Sequence, residues 1–186
     1  MTQPFLSQRG NYKKLIAFRK SECIFDITFY FANKYLVKGD RTIDQMIQAA
    51  RSGKQNIAEG SAAATTSREM EIKLYNVARA SLQELLVDYE DYLRVRGLSQ
   101  WNINDEKSRQ TRRVCGRHND SEFYREAIKL RSDETIANIA ITLIHQADVL
   151  MRGLIERAQI DFLKEGGIRE QMTRTRLEYR KRNQGG

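Results

Sequence analysis

The sequence predicts an all-helical protein, because proline is almost absent, the composition favours helices and apolar residues recur at helical spacing. The 186-residue chain contains one proline, Pro4, which precedes every long apolar pattern. The middle of the chain is rich in Ala, Leu, Ile, Glu, Arg and Gln, which favour helices. Four stretches carry apolar residues at three- and four-residue steps, the spacing of one helix face. We expect four such helices to pack as a single bundle.

The first apolar stretch predicts a helix over residues 12–36. Its second half is apolar on nearly every side. A surface helix normally has one apolar stripe and a polar back, so we expect this segment to be buried on two sides, inside the bundle and against another subunit. The first helix therefore suggests a homo-oligomer.

The second helix is predicted over residues 42–60, after a turn around Gly39. Thr42 and Gln45 have the spacing of a capping box, in which both side chains accept hydrogen bonds from backbone N–H groups at the helix start. Small residues on this helix leave room for another helix to approach closely, namely Ala49, Ser52 and Gly53. We therefore expect this helix to lie in a tight contact.

A loop over residues 61–66 and a third helix over residues 67–96 come next. Thr66 and Glu69 repeat the capping-box spacing at the start of this helix. Gly97 is expected to be its C-terminal cap, because glycine adopts left-handed backbone conformations without strain.

The fourth apolar stripe begins at Ile136 and continues to Phe162, before the pair Gly166 and Gly167 ends it. Residues 99–132 form a polar insertion ahead of this helix, with one short helix expected near residues 122–130. Bundle connections usually take roughly 2 to 8 residues, and longer ones are often functional or disordered. The insertion is therefore a candidate functional segment.

These elements divide the chain into three parts. Residues 1–11 form an N-terminal arm, residues 12–165 form the four-helix bundle with its insertion, and residues 166–186 form a basic suffix. The suffix is expected to be either a basic amphipathic helix or a flexible tail.

The charge of the chain is basic and unevenly distributed. A net charge of +8 results from 32 Lys and Arg against 24 Asp and Glu, which favours an acidic partner such as nucleic acid. The candidate binding residues of the insertion are Lys107, Arg109, Arg112, Arg113 and Arg117, flanked by Trp101, Phe123 and Tyr124. Those of the suffix are Arg169, Arg174, Arg176, Arg180, Lys181 and Arg182. Such clusters either contact phosphates while aromatic rings stack on bases, or form a solvated surface.

The cellular compartment is inferred from cysteine usage and hydropathy. Cys23 and Cys115 are too few for a disulfide framework, which favours a reducing compartment. Residues 1–10 lack the apolar stretch of a signal peptide, and no window reaches the roughly 18 to 20 apolar residues of a membrane span. We expect a cytoplasmic protein with no membrane partner.

Catalytic and metal-binding motifs are not apparent. A di-iron bundle needs a glutamate three residues before a histidine on two helices, and neither His118 nor His145 has one. Cys115 and His118 have half of a zinc-site spacing without a second pair. We interpret the acids of the third helix as a solvated face or as inter-subunit ion pairs; they are Glu84, Asp88, Glu90 and Asp91. The prediction is a non-enzymatic protein with no catalytic residue, metal or cofactor.

Residues 51–60 read RSGKQNIAEG, residues 76–85 read NVARASLQEL, and residues 166–176 read GGIREQMTRTR. The first two segments resemble the bacterial family of rRNA intervening-sequence proteins, over residues 12–98 and, more weakly, the fourth helix. The third resembles the basic suffix of one branch of that family, the suffix-domain proteins of Bacteroides-like bacteria. Relatives include the accessory variability protein of diversity-generating retroelements, which binds a reverse transcriptase and nucleic acid.

The resemblance implies a left-handed up-down-up-down four-helix bundle that assembles as a ring-like homopentamer without known catalytic activity. Its motif residues here are Asn56, Glu59 and Gly60 on the second helix and Arg79 on the third. Glu59 is expected to accept hydrogen bonds from the backbone of residues 65–67 or to pair with Arg79. The alternative is that Asn56 and Glu59 form a corner for docking a partner.

Charge and resemblance together favour a homo-oligomeric, pentameric bundle that binds RNA, DNA or a nucleic-acid-handling protein through its basic segments. The alternative is a protein-only scaffold or adaptor whose basic segments dock an acidic protein partner.

Overall fold

Helices account for most of residues 11–183, the part of the chain that the computed structural model describes. The predicted all-α fold is confirmed, since no strand occurs within these residues. The N-terminal arm lies outside them except for Asn11, as do residues 184–186 of the suffix. In chain order the elements are a 3-10 turn at Tyr12–Lys14, α1 at Ile16–Tyr35, α2 at Arg41–Ala63, α3 at Arg68–Val95, α4 at Glu106–Arg117, α5 at Ser121–Ala127, α6 at Asp133–Glu165 and α7 at Ile168–Asn183.

Four long helices surround the main apolar core. α1 packs against α2 and α6, and α3 packs against the same two helices. Phe31 of α1 contacts the rings of Tyr89 and Tyr92 on α3, at centroid distances of 5.1 and 4.7 Å. The hydroxyl of the fully buried Tyr89 lies 3.0 Å from the Thr28 hydroxyl and donates to it, which satisfies its polar atom inside the core.

The helix starts differ from the predicted capping boxes. Asp40 is the N-cap of α2, and its carboxylate accepts a hydrogen bond from the Thr42 N–H at 2.8 Å. Ser67 is the N-cap of α3, and its hydroxyl accepts from the Met70 N–H at 3.2 Å. The prediction of Thr42 and Thr66 as caps is therefore wrong, because Asp40, two residues before Thr42, and Ser67, directly after Thr66, each accept from an N–H group of the first turn.

The first helix also begins later than predicted. Leu15 has an extended backbone, with φ −70° and ψ 123°, and separates the 3-10 turn from α1.

At the C-terminal end of α3, the prediction of Gly97 as the cap is confirmed. Gly97 has φ +65°, and the N–H of Leu98 bonds to the carbonyl of Leu93 at 2.9 Å. This arrangement is a Schellman cap.

The contact between α2 and α3 is close, as the small residues predicted. A Cβ added at Gly53 would lie 2.7 Å from Leu82 Cδ2, and one added at Gly60 would lie 2.6 Å from Tyr75 Cε1. The predicted helix end at Gly60 is wrong, because α2 continues to Ala63 and the segment expected to be a loop begins inside the helix. Gly60 is therefore a packing residue and not a cap.

The insertion contains two helices. α4 packs on α6, whereas α5 packs on α1, where Tyr124 and Ile128 are buried. The helix expected near residues 122–130 corresponds to α5, whereas α4 was not predicted. The suffix, for which a helix and a flexible tail were both considered, forms α7. Among the described helices, none combines the length and apolar content needed to cross a membrane.

Gly60→Ala is expected to destabilise the protein despite the better helix propensity of alanine, which is worth roughly 1 kcal/mol. The added methyl group would overlap the ring of the buried Tyr75, so we expect a net loss of about 1 to 3 kcal/mol in urea unfolding. Gly153→Ala in α6 is the matched control, because no described atom lies within 4 Å of the added Cβ. Equal effects of the two substitutions would contradict the close contact.

Candidate functional site

The basic residues of α4 are closer to an acid than the sequence suggested. Glu106 begins the helix, and its carboxylate lies 3.1 Å from a guanidinium nitrogen of Arg109 and 3.4 Å from one of Arg113. One turn and two turns of helix bring these side chains to the same face. Residues 107–117 contain no acid themselves, but Glu106 directly before them already compensates part of their charge.

The other cations of α4 have different surroundings. Arg112 is half-buried, and its Nη1 donates a hydrogen bond to Ser108 Oγ at 2.8 Å. The ammonium of Lys107 lies 6.0 Å from the centre of the Trp101 ring, while Arg117 is exposed. Lys107 and Arg117 are thus the cations of α4 most available to a partner.

The aromatic residues near α4 are mostly engaged in packing. Tyr124 is 2 % exposed, and its hydroxyl donates to the carbonyl of His118 at 3.0 Å. The ring of Phe123 stacks on that of His118 at a centroid distance of 3.8 Å. The indole N–H of Trp101 lies 3.4 Å from Glu134 Oε1. The interpretation of Tyr124 as a stacking platform is wrong, because its ring is buried.

The basic residues of α7 are exposed throughout. The described side chains from Arg169 to Arg182 are all exposed except that of Gln171, which is half-buried. The helix carries six basic residues against two acids, Glu170 and Glu178. Residues seven and eleven positions apart share one helix face, which groups Arg169, Arg176 and Arg180 in a row. We call this helix with its cations the basic α7 surface.

Tyr179 completes the basic α7 surface and was not selected from the sequence. Its side chain is 63 % exposed, and it lies one turn after Arg176 and next to Arg180. An exposed aromatic ring among arginines suits base stacking combined with phosphate contact. The sequence contains a signal for Tyr179, because helical spacing places this tyrosine close to Arg176 and Arg180 in a segment of mostly charged residues.

The motif residues of α2 and α3 form internal contacts. Asn56 Nδ2 donates to the carbonyl of Ser52 at 2.9 Å, and the hydroxyl of Ser52 bonds with that of Ser81 on α3 at 2.9 Å. Arg79 pairs with Asp148 of α6 at 2.8 Å. These bonds connect α2 to α3 and α3 to α6.

The expected partners of Glu59 are not observed. Its side chain is exposed, and the predicted pair with Arg79 is wrong because Asp148 occupies the guanidinium. The backbone N–H groups of residues 65–67 bond instead to the carbonyls of Ala62 and Ala63, so the capping role is also wrong.

A cleft of about 760 Å³ lies between α4, α6 and the start of α1. Its volume falls in the range of small-molecule sites, which is roughly 300 to 1,000 Å³. The apolar part of its lining consists of Ile16, Trp101, Ile103, Ile141, Val149 and Leu150. No sequence pattern predicted this cleft, since it forms where the insertion packs against α6.

Lys20 is a buried polar residue in the lining of the cleft. It is 3 % exposed, and its ammonium donates to the carbonyl of Cys115 at 2.7 Å and to Gln146 Oε1 at 2.9 Å. The amide of Gln146 donates in turn to the carbonyl of Arg112 at 3.0 Å. Within residues 11–183 no carboxylate lies within ion-pair distance of Lys20. Burial lowers the pKa of Lys20, because removal from water disfavours the charged form.

Asn119 is the second unusual polar residue in the lining. Its Oδ1 atom is buried and accepts no hydrogen bond from the described residues. Buried side-chain oxygens nearly always have a hydrogen-bond partner, so such an atom requires an explanation. Sequence reasoning missed both Asn119 and Lys20. A signal for Lys20 existed, because it shares the buried face of α1 with Ala17, Ile24 and Ile27.

The residues considered for metal binding do not converge. Cys23 and Cys115 are buried free thiols, and burial raises the pKa of Cys23 to about 12. The ring of His118 stacks on that of Phe123, as described above. In the acidic stretch of α3, Asp91 pairs with Arg94 at 2.6 Å. The pKa of Asp88 in the same stretch is raised, mainly by burial and to a smaller extent by the negative charges of Asp91 and Glu84. Over the described range, no group of three or more His, Cys, Asp or Glu could hold a metal ion.

Comparison with known proteins yields no relative: no family model, no curated protein and no solved structure matches this chain.

Replacing Lys20 by Met should change how stability depends on pH. Folding lowers the pKa of Lys20, so burying its charge lowers the free energy of unfolding. This destabilisation is fully present at pH values below the folded-state pKa. It is relieved as pH rises toward the ordinary lysine pKa of 10.5. We therefore expect the wild-type protein to gain unfolding free energy relative to Lys20→Met between pH 7 and pH 10. Urea titrations at both pH values measure this difference, with the exposed Lys38→Met as the control. A difference that falls with rising pH would contradict the buried charge.

Proposed function

We propose that this protein is a non-enzymatic nucleic-acid-binding protein whose principal contact is the basic α7 surface. The observation that carries the proposal is the exposure of six basic side chains on one helix together with Tyr179. Lys107 and Arg117 of α4 extend the basic surface. Arg109 and Arg113 contribute less, because a phosphate would have to compete with Glu106 for them.

The binding mode follows from the type of contact. Guanidinium groups on a solvent-exposed helix bind phosphates and release condensed counterions, so affinity falls steeply with salt and depends little on sequence. Stacking on Tyr179 needs a base that is not paired, which favours single-stranded segments or loops. We therefore expect RNA with single-stranded regions to bind more tightly than duplex DNA.

We further propose the left-handed up-down-up-down bundle topology, assembly as a homopentamer and a cytoplasmic location. The topology is supported by the packing of α1 and α3 against the same two helices. Assembly is supported by Phe29, which is 54 % exposed, and by Phe25, which lies beside it at a centroid distance of 6.3 Å. In a closed ring each basic α7 surface would recur in every subunit, so weak contacts would gain affinity through multivalency.

The double substitution Arg176→Glu with Arg180→Glu should weaken nucleic-acid binding by at least about tenfold. It should also reduce the slope of log K against log salt by roughly 1.5 to 2, since about two phosphate contacts are lost. Fluorescence anisotropy with labelled single-stranded RNA and duplex DNA measures both quantities. Tyr179→Ala is expected to weaken only the single-stranded complex.

The matched control is Lys38→Glu with Arg41→Glu, which changes the net charge equally at exposed positions outside the basic α7 surface. An equal loss of affinity in both double variants would show that net charge alone drives binding and would contradict the assignment to α7. Polyglutamate is added as a competitor. If polyglutamate displaces the labelled RNA as well as unlabelled RNA does at equal charge, the result favours the alternative function, an adaptor that docks an acidic protein.

Phe29→Glu should reduce the mass of the assembly, because a charge would replace an apolar contact between subunits. Burying a phenylalanine is worth about 1.5 to 3 kcal/mol, so each interface should weaken by roughly 10- to 100-fold. Light scattering after size exclusion measures the mass. Leu130→Glu, at a leucine that is 97 % exposed, is the control. A monomeric wild-type protein, or an unchanged mass for Phe29→Glu, would contradict the proposed interface.

A further inference from the structure

We propose that the cleft between α4, α6 and the start of α1 binds a small organic anion with an apolar body, whose carboxylate meets Lys20. This site is separate from the basic α7 surface and does not depend on the proposed function. Three features of the cleft carry the inference, namely its walls, its buried cation and its buried acceptor.

The walls of the cleft are apolar and partly exposed. Ile16, Ile103 and Val149 are 51, 67 and 59 % exposed, while Ile141 in the same lining is buried. Trp101 is held in this lining by a hydrogen bond from its backbone N–H to Asn138 Oδ1 at 2.8 Å. Apolar walls with a few placed polar groups are typical of small-molecule sites. An acyl chain or ring of moderate size would cover these side chains.

Lys20 supplies a positive charge to the lining. Its ammonium has three donor hydrogens, and two of them reach Cys115 and Gln146. Both acceptors are neutral, so the charge itself has no anionic partner among residues 11–183. Buried charges are normally paired, because an unpaired one is poorly solvated. A ligand carboxylate would provide both the missing charge and an acceptor for the third donor.

Asn119 defines a second chemical requirement. Its buried Oδ1 can only accept a hydrogen bond, so the ligand needs a donor such as a hydroxyl or amide N–H. The half-buried Arg112 and the exposed His145 are further polar residues of the lining. The ligand class is therefore an apolar acid carrying one hydrogen-bond donor, with 3-hydroxyoctanoate as a simple representative.

The chain contains its own reporter for this site, because Trp101 is its single tryptophan and lines the cleft. Octanoate, octanamide and octylammonium are titrated separately into the full-length protein while Trp101 emission is recorded. We expect a saturable change with octanoate, at least about tenfold weaker binding of octanamide, and still weaker binding of octylammonium. 3-Hydroxyoctanoate should bind more tightly than octanoate.

Two variants at exposed valines localise the binding without disturbing the core. Val149→Glu places a negative charge in the exposed part of the cleft lining and should weaken octanoate binding by about tenfold or more. Val87→Glu on α3, at a valine of similar exposure outside the cleft, should leave it unchanged. Circular dichroism verifies that both variants are folded.

Lys20→Met tests the charge directly and should abolish the preference for octanoate over octanamide. The ligand series on the wild-type protein remains decisive if this variant is unstable. Equal binding of octanoate and octanamide by the wild type, the absence of any saturable change, or identical affinities of the Val149 and Val87 variants would each overturn the proposal. None of these outcomes bears on nucleic-acid binding, which is measured with variants of α7.

Discussion

The buried ammonium of Lys20 connects three elements that are distant in sequence. It extends from α1 to the carbonyl of Cys115 in the last turn of α4 and to Gln146 of α6. A helix end leaves carbonyl groups without partners and carries partial negative charge, so a cation there is favourable. Gln146 donates in addition to the carbonyl of Arg112, which lies one turn earlier in α4. Polar contacts from the second half of α4 therefore hold the insertion against α1 and α6, beside the cleft.

Much of the fold could be predicted because it depends on local patterns. The apolar stripes identify the four long helices, and Gly97 identifies the end of α3, since spacing and glycine backbone preferences act over a few residues. The helix starts were missed by one or two residues because the caps Asp40 and Ser67 lie within two residues of threonines that fit the capping-box spacing. Gly60 was placed at a helix end, whereas its role is set by the Tyr75 ring across the interface.

The candidate sites were harder to predict because they depend on contacts between distant segments. The exposure of the suffix arginines follows from a charged composition and was anticipated. The pairing of Glu106 with Arg109 and Arg113 required knowing that α4 is a helix. The cleft required knowing that α4 lies on α6, and no local spacing contains that information. A lysine on an apolar helix face, as at Lys20, is the kind of local conflict that marks a functional or strained position.

The joint between α6 and α7 determines which sequence changes can alter the direction of α7. Gly166, with φ +77°, and Gly167 are the only residues between the two helices, and such a backbone conformation is strained for residues with a side chain. α7 is about 24 Å long at 1.5 Å per residue, so this joint determines where a long arm of charge points. Its direction depends on torsion angles at the joint, and its reach depends on helix length. Substitutions on the surfaces of the long helices can therefore accumulate during evolution while the reach of the charged arm stays the same.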